Sequence, residues 1–470
     1  MNARWPKHAN ASISTSRSAS GSLASFGRLS AGAREQLSRE PGWPVEVFAV
    51  DDCSAQLTWR ASPASGLEIE VGDFLSRPAP SPKAELVLDK AVAVLEKGQP
   101  LHELAHRYWR GRRLLDPELP GGPGSVLVEG LAPGRSYEVL ARADGVARFV
   151  AGRLRTLRPP EGRLLSRFAT VSDMHIGEAR FGLMGRIHDA LEPCGENLDE
   201  PGTSEPSAAR PGPYPARGLR AALEEAAAWG AELIVAKGDL TNRATPAEVR
   251  DAGRLLASSP VPVEALLGNH DNNARVNVRS LLAQEGLTVP WQPWARDLEG
   301  IRLVLVNTAH AEARYHRGQL PLSVARQVVR LAAEAAKPAW LALHHPPEKW
   351  PFPTVYPPGT PFGEARALVA LLAEAGLQGN CFISCGHRHR NRCYRYGPVV
   401  VTEVGSTKDY PGVWAGYKVF EGGILQVVRR VSRPDVLAWT EATRRAMNGQ
   451  WGRWSPGTLA DRCTVYRWGT

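Results

Sequence analysis

The sequence predicts an α/β domain preceded by an all-β one, and three observations carry that prediction. Short apolar runs at 168–171, 233–236, 266–267, 341–343 and 381–383 each end abruptly in polar residues of the kind that do chemistry. Several of the stretches between these runs have helical periodicity, as an α/β alternation requires. From residue 44 to 157 the chain instead shows short β-rich runs separated by turn residues.

In chain order, the 470 residues suffice for two or three domains. The first 34 contain no acidic residue, are rich in serine and lack the apolar core of a secretory signal. Residues 1–42 are therefore expected to be a disordered tail. Runs at 45–50, 55–59, 67–71, 125–131, 137–143 and 147–154 predict the strands of a β-sandwich over 43–158. The segment from Gly130 to Tyr137 resembles the tyrosine corner of fibronectin type III domains, with Trp59 as the matching core tryptophan. Residues 75–120 do not fit such a sandwich and read as an insertion. Within it, His102, Glu103 and His106 have zincin spacing, but no third ligand follows, so a solvated or interface helix is the simpler reading.

Pro159, Pro160 and Gly162 mark a linker at 159–163. The α/β domain is expected over 164–432. Leu219, Ala222, Leu223 and Ala226 stand at helical spacing and stop at Gly230. Thr245, Pro246 and Glu248 form a capping box with proline at the first helical position. Further helices are expected at 323–336 and 364–375. Residues 178–216 are long for a loop and read as disordered or as a lid over the site. Residues 433–470, with Trp439, Trp451, Trp454 and Trp468, are expected to pack on the α/β domain.

Five ordered motifs sit at the ends of the apolar runs: Asp173-Met174-His175, Gly238-Asp239, Gly268-Asn269-His270-Asp271, His344-His345-Pro346-Pro347 and Gly386-His387-Arg388-His389. Gly268 would allow a sharp strand exit, so that Asn269 points its carbonyl oxygen at a cation. This ordered set resembles the calcineurin-like metallophosphoesterase superfamily over roughly 163–430. The resemblance implies two mixed β-sheets packed between helices. It also implies a dinuclear centre, with Asp173, His175, Asp239 and His389 on one ion and Asp239, Asn269, His344 and His387 on the other. Phosphodiester hydrolysis needs an activated water, charge neutralisation and a proton for the leaving alkoxide, and two ions sharing a hydroxide supply the first two. Asp239, with two oxygens and a full charge, is the bridge. His270 is expected to be the general acid or a donor to phosphate, with Asp271 orienting its ring. His344 is preferred over His345 as the ligand, and Arg388 is expected to point away from the site.

Manganese, iron or zinc suits this nitrogen and oxygen donor set. Purple acid phosphatases place a tyrosine three residues after the bridging aspartate, where this chain has Asn242. The His-His-Pro-Pro run is closer to bacterial cyclic nucleotide and glycerophosphodiester phosphodiesterases, with cyclic nucleotides as the favoured substrate. Phosphomonoester hydrolysis, a nuclease-type or phospholipid/glycerophosphodiester metallophosphoesterase, or an interaction protein with a vestigial phosphoesterase domain that uses the sandwich for a partner or for self-association, are the alternatives.

The formal charge of +9 comes from scattered arginines, and no Lys/Arg block forms a nucleic-acid arm. No run of about 18 apolar residues offers a membrane span. Six cysteines in so long a chain do not form a disulfide framework, and Cys381 and Cys385 on one strand stand too far apart to bridge, so reduced thiols and a cytoplasmic setting are expected. His8, His188, His310 and His316 lack motif support and read as surface or turn residues.

Overall fold

Two pairs of sheets, small and large, account for the strands. A computed structural model describes residues 45–60, 68–73, 123–143, 146–178, 181, 214–273, 275–309, 317–447 and 449–469. The 1–42 tail, His102 and His106, the four unsupported histidines and all of 178–216 except 178, 181 and 214–216 lie outside the described residues.

The smaller pair comes first. Strands β1 (Glu46–Val50), β2 (Ala55–Trp59) and β4 (Gly124–Val128) make one three-stranded sheet. Strands β3 (Glu68–Asp73), β5 (Ser136–Ala143) and β6 (Val146–Arg155) make the other. The expected strands are all present within a few residues of their expected bounds. Tyr137 Oη accepts from the Ala132 N–H at 2.7 Å, closing the predicted corner. Trp59 is a correction. As the last residue of β2 it pairs with Gly124 and covers it half-exposed, a Cβ there falling 2.2 Å from the indole, while Phe48, Leu57, Val139 and Leu154 fill the core.

The larger sheets follow. Strands β7 (Leu164–Val171), β8 (Ile234–Lys237) and β9 (Val263–Leu266) run parallel, and the antiparallel strands β16 (Val413–Phe420), β17 (Gly423–Arg430) and β18 (Cys463–Arg467) extend them in the order β18-β17-β16-β7-β8-β9. In the second sheet β11 (Ile301–Val306), β12 (Ala339–Leu343), β13 (Cys381–Cys385) and β15 (Val399–Glu403) are parallel. Antiparallel β10 (Trp294–Leu298) and β14 (Arg392–Tyr396) form its edges.

Period-two alternation explains the layering. On β8, Val235 faces the inter-sheet core while Ile234 and Ala236 face the helices; on β11 and β12, Leu303, Leu305, Trp340 and Ala342 face inward and Val304, Val306 and Leu341 outward. Both faces are covered, which is why these strands read as continuous apolar runs. Helices α1 (Tyr214–Ala228), α2 (Pro246–Ala257) and α3 (Val278–Gln284) cover one sheet, and α4 (Leu322–Ala333) and α5 (Phe362–Glu374) the other. The capping box of Thr245 and Glu248 forms as expected. Lys237 ties the layers together, donating to Ser384 Oγ at 2.9 Å and to the Cys385 carbonyl at 2.8 Å across the sandwich. Burial holds its ammonium pKa down at about 8.

The C-terminal residues add α6 (Pro434–Thr443), α7 (Trp451–Trp454), α8 (Leu459–Arg462) and β18, so the extension is woven into the sheet. The N-terminal sandwich is joined just as firmly. Asp51 meets Lys418 at 3.2 Å and Arg429 at 3.0 Å, Gln56 exchanges two hydrogen bonds with the Arg430 backbone, and Arg462 donates to the Phe48 carbonyl. The described residues between 45 and 469 belong to one compact unit. The expected linker is a packed connection, with Pro160 buried and the Glu161 carbonyl accepting from Gly422.

Candidate metal centre

All five motifs lie where parallel strands end, the side of an open α/β sheet where ligands bind. Backbone bonds hold the strand ends together: Asp173 N–H to the Gly238 carbonyl, His175 N–H to the Asp239 carbonyl, and Gly386 N–H to the His344 carbonyl. Asp173, His175, Asp239, His387 and His389 all have positive φ, between 47° and 70°. They are five of the eight non-glycine residues with positive φ among the described residues, and each conformation costs roughly 1–2 kcal/mol. Such strain gathers at functional sites, where the surrounding structure enforces it.

Two glycines are required by space. At Gly386 a Cβ would fall 2.6 Å from Asp173 Oδ2 and still closer to Ser172. At Gly268 it would fall 2.1 Å from Asp239 Oδ1. The expectation for Gly268 is corrected in its reason: its φ of −105° is open to any residue, and the close approach of the Asp239 carboxylate and backbone nitrogen is what demands glycine.

One pocket gathers Asp173, His175, Asp239 and His389, whose donor atoms all lie within 4.8 Å of one another. His389 Nε2 is 3.5 Å from Asp173 Oδ1, and His175 Nε2 is 3.5 Å from Asp239 Oδ2. Atoms bound about 2.1 Å from one ion at angles of about 90–110° would stand roughly 3.0–3.5 Å apart. Among the described residues, buried His175 Nε2 has no hydrogen-bond partner, a costly state that a cation would relieve. The donor set fits a metal.

The second pocket contains Asn269, His344 and His387. His344 Nε2 is 3.2 Å from both Asn269 Oδ1 and Asp239 Oδ2. Asp239 Oδ2 thus stands between the two pockets, while Oδ1 accepts from the His270 N–H at 2.8 Å. His344 Nδ1 donates to the Lys237 carbonyl at 2.8 Å, which leaves Nε2 facing Asn269 and Asp239. His387 Nε2 donates to the Pro358 carbonyl at 3.0 Å, which turns Nδ1 to the site. His345 falls in the same cluster as His344 and His387, but its Nδ1 shares a hydrogen bond with Thr308 Oγ1 at 2.8 Å. His344, facing Asp239, is the better placed of the pair.

Electrostatics separate the four imidazoles. Burial, then Lys408 and His270, holds His175 well below the usual histidine range; burial, then His345 and His344, does the same to His387. At His344 burial is opposed and overcome by Asp239, which carries it to about 9, and at His389 by Asp409 and Asp173. Asp239 is buried, yet His344 and His270 keep it well below the ordinary carboxylate value.

One expectation changes. Asp271 accepts from the N–H groups of Gly268, Leu240 and Thr241 and from Thr241 Oγ1, so both its oxygens pin two strand-end loops together, and burial with Asp239 raises it to about 6. The His270 ring is oriented instead by the Asn242 carbonyl, 2.8 Å from Nδ1. His387 and His389 both have left-handed backbones, so the segment that carries them bends sharply. Their rings accordingly reach different pockets, His389 standing 5.0 Å from His175 and His387 5.1 Å from His344. Arg388 does point away, into a buried network with Glu348, Glu403 and the Pro357 carbonyl.

Other residues at the site carried no sequence signal. Ser172 Oγ donates to Asp173 Oδ2 at 2.5 Å. Asp409 takes His389 Nδ1 at 2.6 Å, and Trp451, from the C-terminal extension, stands 6.0 Å from the His389 ring. Asp409 does follow an apolar strand, β15, as the other site residues follow theirs, but no metal motif marks it.

The family model described as Calcineurin-like phosphoesterase matches residues 166–391. Among curated proteins nothing matches the chain. Of solved structures, purple acid phosphatase PPD1 from yellow lupin (Lupinus luteus) is similar at 14% identity and a TM-score of 0.39, over 83% of this chain and 72% of that one. PhoD is similar at 12% identity and a TM-score of 0.37, over 83% and 87%. The phosphopantetheinyl hydrolase PptH from Mycobacterium tuberculosis is similar at 14% identity and a TM-score of 0.30, over 52% and 90%.

Proposed function

We propose that the calcineurin-like metallophosphoesterase domain of this chain, which makes it a hydrolase of phosphate esters, acts on phosphodiesters through a dinuclear centre, with cyclic nucleotides as the favoured substrates. One observation carries the reading: seven candidate ligands from five strand ends, arranged about a single carboxylate oxygen of Asp239. Asp173, His175, Asp239 and His389 would hold one ion, and Asp239, Asn269, His344 and His387 the other, manganese, iron and zinc all suiting the donors. When bound, such a pair supplies water activation and charge neutralisation at the phosphoryl group.

The chain's own residues supply the rest. His270, held through Nδ1 by Asn242, would donate from Nε2 to the leaving oxygen or to the phosphate. Asp271 fixes the two loops that carry Asp239 and Asn269, so their spacing is set before substrate arrives. The loop after His344-His345-Pro346-Pro347 returns to the site where the Pro358 carbonyl meets His387. It exposes Trp350, Phe352 and Tyr356 at 58, 66 and 66%, apolar faces suited to a planar base. The docked sandwich, with its three-plus-three strands and Tyr137 corner, supports a fibronectin III-like fold, and the free thiols of the described cysteines suit a cytoplasmic setting.

The test is hydrolysis of chromogenic phosphodiester and phosphomonoester substrates by metal-stripped protein re-supplied with manganese, iron or zinc. Metal-restored cleavage that favours the diester is expected, with cyclic nucleotides competing. Cleavage confined to the monoester would overturn the diester reading.

A further inference from the structure

His389 differs from His344 and His387 in what stands behind it. His344 and His387 each donate their outer N–H to a backbone carbonyl, of Lys237 and of Pro358. His389 Nδ1 instead meets a carboxylate, Asp409 Oδ2, at 2.6 Å. Asp409 is fully buried, as is Lys408, which lies 3.5 Å from Asp409 Oδ2 and is paired with Glu178. Asp409 Oδ1 has no hydrogen-bond partner among the described residues. The full charge of the carboxylate is therefore committed to the imidazole and to a lysine whose own charge is shared.

The loop that carries Asp409 is rigid. Ser406 Oγ donates to the Asp173 carbonyl at 2.8 Å, Thr407 N–H to the Ser172 carbonyl at 3.3 Å, and Tyr410 N–H to Thr443 Oγ1 at 2.8 Å. The backbone just before the carboxylate is thus fastened to the strand end that presents Asp173, itself 3.5 Å from His389 Nε2. Edge contacts from His175 at 5.0 Å and Trp451 at 6.0 Å confine the imidazole from two further directions.

Resting on the two-ion reading above, we propose that Asp409 is a positioning residue for the ion held by Asp173, His175, Asp239 and His389. It fixes the His389 proton on Nδ1, aims Nε2 at the pocket and makes that nitrogen a stronger donor. A carboxylate behind a ligating histidine does this generally, and its removal costs about 10–100-fold in metal affinity. The histidines of the other pocket, backed by neutral carbonyls, receive no such support, so Asp409 acts on one ion of the two.

The test is manganese binding by the full chain, stripped of metal and titrated with Mn2+ by calorimetry, for wild type, D409N, H389A and the double variant. Asn keeps the side-chain shape and an accepting oxygen but removes the charge. Wild type is expected to take two ions, and D409N to lose about 10–100-fold in affinity for one of them while the other is unchanged. H389A should weaken the same ion, and D409N should add nothing in that background. Unchanged Mn2+ binding in D409N would overturn the inference and leave the two-ion centre standing. Additive losses in the double variant, or equal losses at both ions with a lowered melting temperature of the metal-free protein, would replace positioning by a purely structural role. A wild-type chain that binds no Mn2+ would overturn the two-ion reading and this inference with it.

Discussion

Two clusters of ligand-type residues, one buried and one with only Asp51 buried, pass the same coarse test for a metal site, and they differ in what closes them. At the seam between the N-terminal sandwich and the larger sheets, Asp51, Asp52 and Cys53 bring donor atoms within 4.8 Å of one another, as the four residues of the first pocket do. The seam contains its own cations: Lys418 lies 3.2 Å from Asp51 and 2.6 Å from Asp52, and Arg429 lies 3.0 Å from Asp51. The centre has nitrogen and oxygen donors facing one another, a buried His175 Nε2 without a hydrogen-bond partner among the described residues, and five strained backbones holding the arrangement. Density of ligand-type residues therefore does not identify a site. An incomplete charge set enforced against strain does.

The widest separation between the clusters should come from Asp239→Asn. On the function proposed above, the charge shared by both pockets disappears while size and packing remain, so phosphate-ester hydrolysis should fall by roughly a thousandfold or more. Melting of the metal-free protein should move little at neutral pH, because His344, which Asp239 holds protonated, can release its proton once that charge is gone, whereas Arg429 at the seam cannot. Asp51→Ala inverts the pattern. It leaves Lys418 and Arg429 buried against a missing carboxylate, at a cost of about 3 kcal/mol since Asp52 still serves Lys418. A denaturant midpoint should show the loss, with Mn2+ uptake unchanged. A D51A chain that lost metal, or a D239N chain that unfolded, would break the distinction.

The centre was far more legible in the sequence than the seam. Asp173, His175, Asp239, Asn269, His344, His387 and His389 stand at abrupt ends of apolar runs, where a polar residue is conspicuous, and the structure brings all seven together. Strand and helix positions were readable for the same reason, since burial on both faces leaves an unbroken apolar signature. What could not be read depended on long-range partners or on backbone shape. Asp51 reaches Lys418 across 367 positions, Asp409 lies in a loop that resembles any turn, and the Asn242 carbonyl that orients His270 belongs to a backbone atom every residue has. Asp271 misled because adjacency to His270 suggested contact, whereas the turn at Asn269–Asp271 sends its carboxylate back toward Gly268 and Leu240.

The smallest effect sharpens the comparison by its dependence on pH. Burial opposes the Asp51 charge, but Lys418 and Arg429 outweigh it and lower the folded-state pKa below the ordinary 3.8. A carboxyl depressed on folding contributes stability that is fully present above its unfolded value and is lost as pH falls through its folded value. The stability difference between wild type and Asp51→Asn should therefore be constant from pH 7 to about 5, then narrow as pH drops below about 4. Denaturant midpoints of both proteins, measured with a chelator present, isolate the seam because no metal then couples the centre's carboxylates to unfolding. A difference that persisted unchanged at pH 3 would mean that Asp51 acts at the seam through its hydrogen bonds to the Cys53 and Ser54 backbone rather than through charge. The seam and the centre would then no longer be two answers to the same electrostatic problem.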